Sequence, residues 1–340
     1  MNAELKNKLN GRQVVASISG GKDSAALSLW LHEQGIDHIR TFQDTGWEHP
    51  DTLAYLRGPL TEKIGPIIEL RGELQMRDLI LKKGMFPSRK IRFCTEELKI
   101  KPMQKFFKSD PRVMDADCVN AVGIRQEESA ARADALEWEW SNTFDCEVWR
   151  PLVKWKLQDV IDIHARHNLP PNPLYLRGAE RVGCWPCINS RKSEIRMLAE
   201  IDPARVAEIA DIEAQVAGMA KVRWDRDREA WLANPPPEPV KWILDEDGFE
   251  DRISPRWDAW EKKRQRLFVR PFHGPNFFQD SAADDEGCYP SVPIAEVVDW
   301  SQTKRGGKQY EMFAGHGRDA GCVRWGLCEQ PKTDGDDNDD

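Results

Sequence analysis

The run Ser19-Gly20-Gly21-Lys22-Asp23-Ser24 constrains this chain more than any other stretch. Before it comes Gln13-Val14-Val15-Ala16-Ser17-Ile18, a short apolar run of the kind buried on both faces of a parallel sheet. After it, Ala25, Ala26, Leu27, Leu29, Trp30 and Leu31 predict an apolar helix over 24–34, stopped by Gly35. Two glycines between strand and helix let backbone N–H groups converge on an anion, and the helix N-terminus adds partial positive charge. Ser19 and Ser24 offer hydroxyls, and Lys22 offers a compact cation. The four-residue spacer of a Walker A loop is missing. The plainer reading is a tight strand–helix turn that needs no ligand.

Downstream, strand and helix patterns alternate. Residues 38–42 read as a second strand running into Asp44-Thr45-Gly46, 49–64 as a helix, and 67–70 as a third strand. Residues 118–124 read as a further strand, followed by a polar segment, and 156–167 and 191–217 carry helical periodicity. This order predicts an α/β domain with a doubly wound, mainly parallel sheet over residues 1–180. A mostly helical C-terminal region is expected over 181–330, with an acidic disordered tail over 331–340. In such a sheet ligands sit beyond the carboxyl ends of the strands, where the diglycine turn and Asp44 would both lie.

Composition narrows the class. The chain has 340 residues, 40% hydrophobic and 31% charged, with a net charge of -8. An acidic balance argues against a broad nucleic-acid-coating surface but leaves room for a local basic groove. No apolar run is long enough for a membrane span, and the N-terminus lacks a signal-peptide layout, so a cytoplasmic protein is expected. In a reducing compartment, eight cysteines point to metal or redox work rather than to disulfides.

The glycine run resembles the SGGxDS signature of the PP-loop ATP pyrophosphatase superfamily. That resemblance implies an adenine nucleotide α-hydrolase-like, Rossmann-like fold, with ATP and Mg²⁺ as ligands. It makes Ser19, Gly20, Gly21, Lys22, Asp23 and Ser24 phosphate binders, with Asp23 holding the metal or positioning the loop. Further segments are similar to the phosphoadenosine phosphosulfate reductase branch. Asp44-Thr45-Gly46-Trp47-Glu48-His49-Pro50 matches its second motif, which puts Asp44 near ribose or Mg²⁺, or at a helix N-cap. Gly123-Ile124-Arg125-Gln126-Glu127-Glu128-Ser129 with Arg132 resembles its G-x-R-x-x-E-S segment, so Gly123 and Arg125 join the nucleotide set. By chemistry Arg125 and Arg132 bind phosphate or sulfate in a fork; the plainer reading pairs them with Glu127 and Glu128. Lys22, Asp23 and Arg125 are the expected catalytic residues.

Cys184-Trp185-Pro186-Cys187 has the spacing that lets two thiolates meet one metal centre, and Cys94 lies about ninety residues earlier. The branch resemblance implies a [4Fe–4S] cluster on Cys94, Cys184 and Cys187, with Cys322 or an open iron site. A structural Zn²⁺ on Cys184, Cys187, Cys322 and Cys328 is the alternative. Cys288 is a weaker candidate, and Cys118 and Cys146 read as ordinary buried thiols. Thr95 stands where iron–sulfur members have a second early cysteine.

The intact phosphate loop, and Gly326-Leu327-Cys328-Glu329 in place of a Glu-Cys-Gly-Leu-His ending, set the chain apart from strict sulfonucleotide reductases. The expected activity is therefore ATP cleavage to AMP and pyrophosphate, adenylating a substrate for sulfur transfer. The sulfur would come from sulfide or a donor protein, and tRNA or DNA would be the acceptor. The alternatives are a sulfonucleotide reductase and an ATP-binding subunit of a nucleic-acid modification or defence complex. The tryptophan- and arginine-rich stretch 240–270 reads as a salt-bridged helical appendage, and Thr303-Lys304-Arg305-Gly306-Gly307-Lys308 as a basic turn.

Overall fold

A computed structural model describes residues 3–88, 91–129, 132–244, 250–268, 276, 278–279 and 291–303. Cys288, Cys322, Cys328, the basic turn beyond Thr303 and the acidic tail lie outside the described residues. Among the described residues, one compact unit takes in 3–79, 91–203 and 298–303, and a second takes in those within 80–88 and 204–297.

The first unit opens with α1 (Ala3–Lys8), β1 (Gln13–Ser17), α2 (Lys22–Glu33) and β2 (His38–Asp44). Then α3 (Pro50–Tyr55) passes through a π-turn at Leu56–Leu60 into α4 (Thr61–Ile64), and β3 (Ile67–Arg71) and α5 (Met76–Lys83) follow. Next, α6 (Phe93–Thr95) runs through a second π-turn, Glu96–Ile100, into α7 (Lys101–Ser109). β4 (Cys118–Val122), β5 (Trp138–Ser141), β6 (Cys146–Trp149), α8 (Leu157–Arg166), α9 (Pro173–Leu176) and α10 (Lys192–Ile201) complete it.

The sheet order is β3-β2-β1-β4-β6-β5. Every neighbouring pair is parallel except β5 against β6, where Trp138 faces Trp149 and Ser141 faces Cys146. The expected doubly wound, mainly parallel α/β sheet is present. β1 lies near its centre, and Val14, Val15 and Ala16 are all buried, as a strand covered on both faces requires. Val14 and Ala16 face Leu27, Leu31 and Ile163, while Val15 faces Met103, Phe106 and Phe107. Full burial of a side chain such as Leu27 or Leu31 stabilises by roughly 1.5–3 kcal/mol.

Three elements differ from expectation. The helix over 49–64 is interrupted by the Leu56–Leu60 π-turn around Pro59, which has no N–H to continue an α ladder. The helix over 191–217 is two helices, because Pro203 starts a new one and Asp202 before it leaves the helical region at φ -142°. The β5–β6 hairpin gave no sequence signal.

In the second unit, α11 (Pro203–Ala233) is followed by β7 (Trp242–Leu244) paired with β8 (Glu250–Ile253), then α12 (Pro255–Phe268). β9 (Phe278–Gln279) pairs with β10 (Ser291–Val292), and α13 (Ile294–Gln302), of which 294–297 belong to this unit, is the last described element. Its tryptophans are used in packing: Trp224 Nε1 donates to the Arg266 carbonyl, and Trp231 rests on Trp260 with ring centroids 5.7 Å apart. No helix among the described residues is long and apolar enough to cross a membrane.

Candidate functional site

The chain leaves β1 at Ser17 and enters α2 at Lys22 through a loop that needs its first glycine. Gly20 sits at φ +74°, and a Cβ there would lie 3.0 Å from Thr52 Cγ2. Ser24 Oγ ties the turn together, accepting from Ser19 N–H at 3.0 Å and donating to the Gly21 carbonyl at 3.0 Å. The N-cap of α2, Gly21, has no side chain to satisfy the first helical amides.

Three residues far along the chain support the loop instead. Tyr175 Oη accepts the Lys22 N–H at 3.1 Å, Asn172 Nδ2 donates to the Gly20 carbonyl at 3.2 Å, and His164 Nε2 lies 2.9 Å from the Lys22 carbonyl. Since a carbonyl only accepts, His164 carries a proton on Nε2. Burial pulls its pKa down, against the pull of its backbone partners. Asn172 and Tyr175 fall in a stretch, 151–187, that resembles the family, but no local pattern points to their contacts with the loop or to His164.

Asp23 points into a cluster of charge. One oxygen is 2.9 Å from Lys22 Nζ and the other accepts from Arg125 Nε at 2.6 Å. Burial pushes the Asp23 carboxyl up, but the two cations outweigh it and hold it below the ordinary carboxylate range. Arg125 is buried and also pairs with Glu127, while Arg132 pairs with Glu128. So the acidic pairing offered by the plainer reading is present, with Asp23 added to it. Gly123 brings β4 against the loop: a Cβ there would lie 2.5 Å from the Asp23 carbonyl and 3.0 Å from Ser24 Cα.

Asp44 ends β2, buried at the carboxyl edge. It accepts from Gly46 N–H at 2.9 Å and from Arg71 Nε at 2.9 Å. The helix cap after it is His49, whose Nδ1 accepts from Asp51 N–H at 3.0 Å. The following turn meets the cysteine segment. Trp185 N–H donates to the Trp47 carbonyl at 2.7 Å, Trp47 Nε1 donates to the Pro186 carbonyl at 3.1 Å, and Glu48 bridges Cys184 through the backbone.

Cys94, Cys184 and Cys187 share one electrostatic neighbourhood. Burial raises the Cys184 thiol, Lys99 opposes it, and Glu48 and Cys187 add to the rise. Burial also raises Cys94, with Cys187 contributing. Cys184 in turn is the leading reason that Lys99 is held charged. Buried Glu48 accepts from Thr45 Oγ1 at 2.6 Å, and its carboxyl is raised first by burial. Lys99 is delivered by the Glu96–Ile100 π-turn, which no helical periodicity could have located. Among the described residues, no three His, Cys, Asp or Glu side chains are gathered at metal-ligand spacing. Cys118 and Cys146 are buried in the core away from this segment, as expected of ordinary thiols.

An uncharacterised 37.8 kDa protein of Escherichia phage 186 is 28% identical to the chain, over 93% of the chain and 96% of its own length. The adenosine 5'-phosphosulfate reductase of Allochromatium vinosum is 29% identical over 28% of the chain, which spans about a third of that protein's length (34%). Among solved structures, the phosphoadenylyl-sulfate reductase of Candida auris in a phosphate complex overlays 55% of the chain and 97% of its own, at 16% identity and a TM-score of 0.42. The phosphoadenosine phosphosulfate reductase domain matches residues 13–190, just over half of the sequence, and the chain belongs to that family.

Proposed function

We infer that the chain binds ATP at Ser19–Ser24, cleaves it to AMP and pyrophosphate to adenylate a substrate, and supports sulfur transfer to that substrate. The observation that carries this reading is the loop: an intact diglycine turn at a helix start, with Lys22 and buried Arg125 held on the two oxygens of Asp23. A substrate oxygen would bond to the α-phosphorus as the bond to the bridging oxygen breaks, and that electron pair would leave with pyrophosphate. Negative charge grows on the leaving group, and the loop amides and Lys22 are placed to meet it. Asp23 keeps both cations in position beforehand.

Both oxygens of Asp23 are engaged by cations, and both of Asp44 by Arg71 and Gly46. Neither carboxylate fits a Mg²⁺ site as arranged. The cysteine group fits an iron–sulfur cluster by chemistry: three soft thiols with Lys99 and Arg181 beside them to balance anionic sulfur. Cys94, Cys184 and Cys187 would hold it, with Cys322 or an open iron position completing the set. When bound, the cluster would supply the sulfur-handling chemistry. Zn²⁺ on Cys184, Cys187, Cys322 and Cys328 is the other donor set of the same ligand type.

The likeness to adenosine 5'-phosphosulfate reductases favours a second reading, reduction of a sulfonucleotide at the same cleft. Anaerobically purified protein distinguishes the two. Incubation with ATP, sulfide and candidate tRNA or DNA should release AMP and pyrophosphate. Sulfite released from a sulfonucleotide and a thiol, with no AMP from ATP, moves the assignment to the second reading. Absence of calorimetric ATP binding, unchanged in Lys22→Ala, overturns the first. Iron and sulfide analysis on the same sample decides cluster against zinc.

A further inference from the structure

The peptide between Gly20 and Gly21 is the one in the phosphate loop with glycine on both sides. Turning it over changes ψ of Gly20 and φ of Gly21, and glycine accepts either sign of φ, so the two residues do little to fix it themselves. Gly20 stands at φ +74° and Gly21 at φ -87°. In a planar trans peptide the carbonyl and the N–H point in opposite directions, and whatever holds one also aims the other. The carbonyl is held by Asn172, a buried side chain 152 residues away. Asn172 Nδ2 donates to the Gly20 carbonyl at 3.2 Å and to Thr52 Oγ1 at 3.3 Å, while Oδ1 accepts the Leu174 N–H at 3.0 Å and caps α9. With these bonds made, the amide cannot swing away without leaving a buried polar group unpaired. On the other side of the peptide, the Gly21 N–H reaches Ser19 Oγ at 3.4 Å, a long contact. The Ser19 and Lys22 amides are held more closely, by Ser24 Oγ at 3.0 Å and by Tyr175 Oη at 3.1 Å. Of these three amides, that of Gly21 is the one most readily yielded to an ionised oxygen.

Resting on the nucleotide reading above, we propose that Asn172 is a positioning residue for phosphate binding. By pinning the Gly20 carbonyl it keeps the Gly20–Gly21 peptide from turning over and keeps the Gly21 N–H aimed at the terminal phosphates. Without the pin the peptide takes two orientations, and in one of them a carbonyl oxygen meets the phosphate in place of an N–H. The cap on α9 is a separate task, since Oδ1 makes the cap and Nδ2 makes the pin. Substitution divides the two. Asn172→Asp keeps the shape and the capping acceptor but loses the donor, and Asn172→Ser keeps a capping oxygen on a side chain one atom shorter.

Amide NMR and calorimetry on the isotope-labelled full-length protein test this, with inorganic pyrophosphate and magnesium as the probe. In the wild type, pyrophosphate should shift the Gly21 amide, and in ligand-free protein that amide should be free of microsecond-to-millisecond exchange. In Asn172→Ser and Asn172→Asp, Gly21 should show such exchange while Leu27 and Leu29 in α2 stay quiet. A role confined to capping α9 would leave Gly21 unmoved. Pyrophosphate affinity should fall at least about fivefold in both variants. A smaller loss in either folded variant, or a Gly21 amide as quiet as in the wild type, overturns the proposal. Wild-type protein that binds pyrophosphate without moving the Gly21 amide overturns it too, and this arm decides even if neither variant folds. Binding of neither pyrophosphate nor ATP by the wild type removes the nucleotide reading, and the proposal with it.

Discussion

Gly123→Ala puts a methyl group where the structure leaves no room. A Cβ at that position lies 2.5 Å from the Asp23 carbonyl oxygen and 2.9 Å from its carbon, whereas real Cβ contacts essentially never fall below 3.0 Å. All three nearest atoms are backbone, so no rotamer can relieve the clash, and strand exit and loop must part by about half an ångström or more. Overpacking of this kind costs roughly 1–3 kcal/mol. Were that cost borne by the nucleotide-bound geometry, ATP affinity would fall from about fivefold to about a hundredfold. Calorimetric titration with magnesium ATP reads the affinity, and a urea melt reads the share taken by stability. Gly58→Ala, where nothing lies within 4 Å, is the matched control and should leave ATP affinity unchanged. If Gly123→Ala binds ATP within twofold of wild type and melts at the same urea concentration, the close approach of β4 to the loop is not what shapes the site.

Asp23→Asn strips the countercharge from Lys22 and from buried Arg125, and breaking a buried pair costs about 3–5 kcal/mol. A urea midpoint corresponding to a loss below about 1 kcal/mol would refute the pairing. His38 donates from Nδ1 to the Ile36 carbonyl and accepts from Ser28 at Nε2, and burial pushes its pKa down from 6.5 to about 4. The unfolded chain takes up a proton that the folded one refuses between those values. Stability should therefore rise with pH from about 4 to about 6.5, by roughly 3 kcal/mol, and level off above. His38→Gln should flatten that slope in denaturant melts across the window, and an unaltered slope would discard the assignment. Cys184→Ser should lose iron and labile sulfide on anaerobic purification, whereas Cys146→Ser, in the core, should retain both. Equal metal content in the two variants would remove the cysteine segment from the metal site.

The central strand that leads into the loop was legible because it is buried on both faces and reads as a plain apolar run, Val14 to Ala16. The diglycine turn was legible because its chemistry is contiguous in sequence. What sequence could not reveal is which groups the loop's amides and charges meet. Asp23 finds Arg125 across 102 residues, and Lys22 finds Tyr175 across 153. Phe93 to Pro102, with Lys99 in it, resembles a segment of the family, but that Lys99 comes up against Cys184 is set by the fold and not by local pattern. The β5–β6 hairpin was hidden for another reason: β5 is an edge strand whose Trp140 faces solvent, so it lacks the uniform apolar run of the central strands.

The order of the sheet sets a timetable for the cleft. β1 and its glycine loop leave the ribosome before β4, which lies beside β1 in the sheet and follows about a hundred residues later, and His164, Asn172 and Tyr175 come later still. At translation speeds of about 5–20 residues per second, the loop waits roughly 8–30 s for its supports. Throughout that interval its amides face water, and no nascent chain short of Tyr175 carries a finished pocket. The loop's supports are thus complete only once Tyr175 has emerged, well after the segment that makes the loop recognisable.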